Sequence, residues 1–271
     1  SDLIAPVPAA PAQRDEADAG GVVVNRGFQP PAIEKPKRAR KGAVPSRPKK
    51  KATPIDVIIG LDFGTSRCKV VMSSKLLPGS PAYPVVFDTE DDCPFLLPTN
   101  VSQSPEGVFS LEPLEGYELL QDLKVALMDH PDEGDSMVNA VGYLALVLKY
   151  SRDWLVAGHK EVYGQSEIIW SMNMGLPSNG SEDKEMRGVF RLVGEAAWSL
   201  SMGKGPVTVT SARDALTEAK ESNPEDETEV DLREEVIAEV QGYCRSYMRR
   251  SGLHVIVDVG ASTLDACGFT L

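Results

Sequence analysis

"DVIIGLDFGTSRCKVV", Asp56 to Val71, sets an Asp and a Gly-Thr-Ser bend directly after a Val/Ile-rich run. The run reads as a strand, Gly64-Thr65-Ser66 as a turn and "RCKVVMSS" as a returning strand. The same layout returns in "HVIVDVGASTLDACGF", His254 to Phe269. A Gly-Thr or Gly-Ser bend after a strand exposes successive backbone N–H groups, which make a nest for phosphate oxygens. Ordinary β-turns favour the same residues. What favours phosphate here is recurrence: Asp-x-Gly follows an apolar strand twice. The hydroxyls of Thr65, Ser66, Ser262 and Thr263 would add donors. Asp62 and Asp258, at their strand ends and facing one cleft, could bind a hydrated Mg2+, which takes few carboxylates and keeps much of its water.

Charge divides the chain of 271 residues unevenly. Residues 1–53 carry eight Pro, and Lys35 to Lys51 holds nine basic residues in seventeen positions with no acid. Such a segment cannot bury enough apolar surface to offset chain entropy, so a disordered tail is expected. The tail holds 11 basic and 5 acidic residues, leaving 17 and 35 of the chain's 28 and 40 for residues 54–271. That acidic body argues against nucleic acid as the main ligand and leaves only weak contacts through the tail. Cys68, Cys93, Cys244 and Cys267 show no C-x-x-C pair and no zinc spacing, which suits reduced thiols in a cytoplasmic protein. No apolar run is long enough to span a membrane.

After the first hairpin, "AYPVVFD" predicts a third strand, and "PTNVSQSPEGVFSLE" short edge strands around a Pro-Glu-Gly turn. "GYELLQDLKVALMDH" is a mixed segment closed by Pro131. A helix is predicted from Asp135 or Ser136 to Gly158, with Met137, Val141, Leu144, Leu148 and Leu155 at helical spacing. "SEIIWSMNMGLP" predicts a strand. Ser181 is expected to cap the next helix, with Glu182 and Asp183 in its first turn. "GPVTVT" predicts a short strand and "SARDALTEAK" a helix opened by a Ser-x-x-Asp cap. The acidic run Glu221 to Glu229 predicts a surface loop, and Asp231 the start of a helix reaching Arg249-Arg250. The strand "HVIVDVG" follows. This order predicts an α/β domain with a mixed sheet flanked by helices over residues 54–271.

With the elements in place, "IIGLDFGTSRCKV" resembles the first phosphate motif of the superfamily that unites actin, sugar kinases and the seventy-kilodalton heat-shock chaperones. "VIVDVGASTLDACGF" resembles its second, with Asp258, Gly260, Thr263 and Asp265 in matching places. Intervening segments are similar to the chaperone branch in order: "LPTNVSQSPEGVF", then "LQDLKVALM", then the helix, strand and helix up to "GEAAW". The resemblance implies a ribonuclease H-like, actin-like ATPase lobe that binds ATP and Mg2+. It implies that Asp62 and Asp258 hold the metal through water, and that Gly64, Thr65, Ser66, Gly260, Ser262 and Thr263 cradle phosphates. Lys124 becomes the counterpart of the family's catalytic Lys. Glu235, or Glu239 one helical turn on, with Asp265, would orient water or metal. Two departures stand out: Val236 replaces a family Pro, and Gly260-Ala261-Ser262 replaces a triple Gly.

In this family nucleotide lies between two similar lobes, and the second lobe supplies the adenosine-binding Gly-Gly segment. No such segment is present before Leu271, so the sequence is expected to be a fragment, or to be completed by a separate polypeptide. The last strand, "DACGFTL", is expected to lack its hairpin partner and to expose an apolar edge. The expected function is that of an ATP-binding, ATP-hydrolysing, heat-shock-chaperone-like protein acting on client or partner proteins, with little turnover by this chain alone. Two alternatives stay open: a sugar-type small-molecule kinase, and a non-hydrolysing actin-like scaffold.

Overall fold

A computed structural model describes residues 54–87, 93–177, 183–222, 228–261 and 264–271, all within one compact unit, Lys50–Leu271. The tail over residues 1–53 lies outside the described residues. The first hairpin forms as the sequence predicts: strand β1 (Ile55–Phe63) pairs antiparallel with β2 (Arg67–Ser73). Its alternation is clean. Val57, Ile59, Leu61 and Phe63 are buried on one face together with Cys68, Val70 and Met72. Asp56, Ile58, Gly60 and Asp62 take the other face, because successive side chains of a strand point to opposite sides.

Of "AYPVVFD" only Ala82–Pro84 (β3) pairs with β2, while Leu97–Pro98 (β4) pairs with the other end of β2. The Pro-Glu-Gly turn is present, with Gly107 N–H donating to the Ser104 carbonyl at 2.8 Å and Gly107 at φ 79°. The strands around it, β5 (Val101–Gln103) and β6 (Phe109–Ser110), join β7 (Glu118–Leu120) in a separate three-stranded sheet rather than edging the main one. Helix α1 (Leu123–Asp129) follows, then the long α2 (Ser136–Gly158) and the short α3 (Lys160–Tyr163). Strand β8 (Ile168–Leu176) runs parallel to β1.

Helix α4 (Lys184–Met202) is capped by Asp183, whose side chain accepts from the Glu185 and Met186 N–H groups. Ser181, the expected cap, lies outside the described residues. "GPVTVT" does not form a strand. Thr208 instead makes one isolated bridge to Val108 and opens helix α5 (Val209–Glu221) with a reciprocal Thr208–Ser211 capping box. Ser211 is therefore the third helical residue rather than the cap. Residues 223–227 of the acidic run lie outside the described residues. Beyond them a strand appears where a helix was expected: β9 (Val230–Glu234) extends the sheet parallel to β8. Helix α6 (Glu235–Arg245) starts only afterwards.

The main sheet has the path β3-β2-β1-β8-β9, with β4 beside β2. Its apolar face packs under α2 and α4 through Tyr143, Leu144, Leu148, Phe190, Val193 and Ala197. Strands β10 (Leu253–Val259) and β11 (Leu264–Thr270) form a hairpin of their own outside this sheet. The last strand thus has its partner, from Leu253 opposite Thr270 to Val259 opposite Leu264. As a two-stranded sheet each strand keeps an open outer edge, and one face is uncovered as well: Leu253, Val255, Val257, Val259 and Leu264 are all exposed. Contiguous apolar surface of this kind marks an interaction site or an aggregation hazard.

Close packing of α2 gives a direct test. A Cβ on Gly142 would come within 2.5 Å of the Phe109 ring, which is buried. Helix propensity alone would make Gly142→Ala stabilising by about 1 kcal/mol. Overpacking is predicted to win, with a net loss of about 1–2 kcal/mol in urea unfolding.

Candidate functional site

The antiparallel register places Phe63 opposite Cys68 and Asp62 opposite Lys69. The Gly64-Thr65-Ser66 turn joins these ends. A side chain on Gly64 would run into the Arg67 carbonyl, so the bend requires glycine. The turn is also tied down from outside. Thr99 Oγ1 donates to the Gly64 carbonyl at 2.8 Å, and Thr99 N–H donates to the Ser66 carbonyl at 3.0 Å. Thr99 follows β4, whose pairing with Arg67 and Cys68 brings it there.

Across the turn, Lys69 Nζ donates to Asp62 Oδ2 at 2.8 Å. The Asp62 hydrogen bond, with Asp258 and Glu235 nearby, raises the Lys69 pKa against an opposing burial effect. Lys124, the second residue of α1, is only 5% exposed. Its Nζ meets Glu235 Oε1 at 2.9 Å. Glu235 reaches that position because β9 ends beside β8 and α6 begins at once. Gly175 of β8 lies so close that a Cβ there would stand 3.0 Å from the Glu235 side chain. Removing one partner of a pair this enclosed strands the other charge, which costs more than removing both.

Burial pushes the Glu235 carboxyl above its ordinary value; Lys124 opposes the shift, while Asp62 and Asp265 add to it. Glu239, one turn further along α6, is raised likewise by burial and then by Asp258, Asp62 and Glu235, with Lys69 opposing. Asp258 and Asp265 stand directly opposite each other in the β10–β11 hairpin. Like charges so placed destabilise a hairpin unless a cation or other positive group offsets them.

Asp62 and Asp258, from the two Asp-x-Gly segments, bear electrostatically on the same groups, Lys69 and Glu239. Lys124, Glu235 and Asp265 belong to the same group through Glu235. Thr65 and Ser66 sit at the bend next to Asp62, and Gly260 lies just past the end of β10. Ser262 and Thr263 lie outside the described residues. Among the described residues no three His, Cys, Asp or Glu side chains are close enough to hold a metal ion directly. The carboxylates are hard oxygen donors, and that donor set fits a Mg2+ met through its own waters.

Lys69 and Thr99 escape a reading of the sequence alone. Lys69 has a weak signal: it lies three residues past the Gly64-Thr65-Ser66 bend and Asp62 two before it, so only the hairpin's register decides that they pair. Thr99 has none, because its role depends on where β4 docks. Comparison with protein-family models and with curated proteins finds no match. No helix among the described residues is long and apolar enough to cross a membrane.

The raised Glu239 value has a sign that can be checked. A carboxyl whose folded pKa exceeds its unfolded one contributes stability below the unfolded value, near 4.5. That stability is lost as pH rises through the folded value. Glu239→Gln should therefore be more stable than wild type in urea at pH 7 and equal to it near pH ~4.

Proposed function

We propose that the chain carries the phosphate-facing side of an ATP-binding cleft of the actin and heat-shock-chaperone kind. The observation that supports this most is the shared neighbourhood of Asp62 and Asp258. Two turns of the same design, far apart in sequence, act on the same lysine and the same glutamate. Unrelated surface turns have no reason to do so.

In this reading the Gly64-Thr65-Ser66 and Gly260-Ala261-Ser262 bends offer N–H and hydroxyl donors to phosphate oxygens. Asp62 and Asp258 hold the water shell of Mg2+, which supplies positive charge against the phosphates. Lys124 is oriented by Glu235 at 2.9 Å, ready to face a phosphoryl group. Glu235, with its raised pKa, is the candidate to orient or accept a proton from an attacking water, with Asp265 beside it. Four free cysteines accord with a reducing compartment such as the cytoplasm.

Titrating the chain with a fluorescent ATP analogue in excess Mg2+ tests the reading. Saturable binding is expected, weakened about tenfold or more in Asp62→Asn and again in Asp258→Asn. Equal binding by wild type and both variants would refute it. Phosphate release that depends on an added sugar would replace the chaperone-like reading with a kinase.

A further inference from the structure

Arg152 places a charge inside the apolar layer. It stands on α2, three residues after Lys149 and on the same side of the helix, and is only 8% exposed. Its guanidinium carbon lies 4.5 Å from the centre of the Trp198 ring of α4 and 5.8 Å from that of Trp170 of β8. Nη1 donates to Ser201 Oγ at 2.8 Å. Nε and Nη2 are enclosed and have no hydrogen-bond partner among the described residues. Arginine is rarely buried without a partner. Burial holds the pKa of Arg152 down to about 10, opposed by Asp153.

The two unpartnered nitrogens form one edge of the guanidinium, the edge that takes two oxygens of a carboxylate or phosphate at once. Beside Arg152 is a cavity of about 360 Å3, lined also by Lys149, Asp153, Ser201 and Lys204. Three cations there meet one carboxylate, in a body that is strongly acidic as a whole. The last carbonyls of α4, near Met202, add roughly half a negative charge, too little to cancel the excess. Lys149 Nζ donates to the Gly205 carbonyl at 2.7 Å, which ties the segment after α4 to α2.

We propose that this cavity binds a small molecule carrying a carboxylate or phosphate group, with the free edge of Arg152 as its anchor. The guanidinium turns that edge toward the cavity, and two unmade hydrogen bonds become charge-assisted ones. Lys149 and Lys204 add attraction, and the volume leaves room for more than the anion itself. The site lies on the face of the sheet covered by α2 and α4, whereas Asp62 is on the other face. It is therefore separate from the nucleotide cleft and does not depend on that reading.

Trp170 and Trp198 are two of the chain's three tryptophans, so intrinsic fluorescence of the full chain reports on the site. Titrations with inorganic phosphate and with succinate, at constant ionic strength, distinguish the two anion chemistries. A saturable change is expected with at least one of them, and equally in Asp62→Asn. Arg152→Met should weaken binding about tenfold or more. Lys204→Ala should weaken it about two- to fivefold. Lys204 is exposed, so that variant leaves the core intact and tests the site even where Arg152→Met does not fold. No saturable change with either anion is the result for a cavity that holds only water, and it overturns the proposal. So does an affinity that Lys204→Ala or a folded Arg152→Met leaves unchanged, or one that Asp62→Asn abolishes.

Discussion

The constraint on which the site depends is the tight antiparallel register of the first hairpin. Because Phe63 faces Cys68 across the bend, Asp62 must face Lys69. Glycine at 64 and the two Thr99 hydrogen bonds leave that bend little freedom. The apolar face of the same hairpin is buried in the core, with Phe63 against Tyr143 of α2. A slip by one residue would bury Asp62 and expose Phe63, so the core itself fixes where the carboxylate points.

From that fixed point the site grows by addition of strands and helix starts. β8 adds to β1 and β9 to β8, which delivers Glu235 to the first position of α6, over Gly175 and against Lys124. The β10–β11 hairpin then brings Asp258 and Asp265 into the same field. The arrangement is costly for a folded protein: burial and mutual repulsion raise two glutamates above their ordinary pKa. Perturbed carboxyl pKa values of this kind cluster at functional sites.

Much of this was legible in the residues, for reasons that can be named. The period-two burial of β1 and β2, the 23 residues of α2 and the glycine of the Pro-Glu-Gly turn are local signals, strong enough to read directly. β9 was not, because "VDLRE" offers only Val230 and Leu232 as buried positions and sits among acids that favour a helix start. "GPVTVT" looks like a strand by β-branched content, yet Val207 is buried and Thr208 caps α5. Tertiary docking decided both cases. The site divides in the same way. The Asp-x-Gly turns and Lys124 are visible as motifs, whereas the choice of Glu235 as the partner of Lys124 needed the length of β9 and the absence of a side chain at Gly175. That β10 and β11 would leave the main sheet and expose an apolar face had no local signal at all.

The central claim is that carboxylates 62 and 258 converge on one ammonium. Nuclear magnetic resonance titration of the Lys69 side chain, in wild type and in the Asp62→Asn and Asp258→Asn variants, measures that convergence directly. The account predicts a wild-type midpoint above the ordinary lysine value of 10.5. It predicts a lower midpoint in both variants, with the larger drop in Asp62→Asn. A midpoint that falls in Asp62→Asn but stays at the wild-type value in Asp258→Asn would place the two turns in separate surroundings and contradict it.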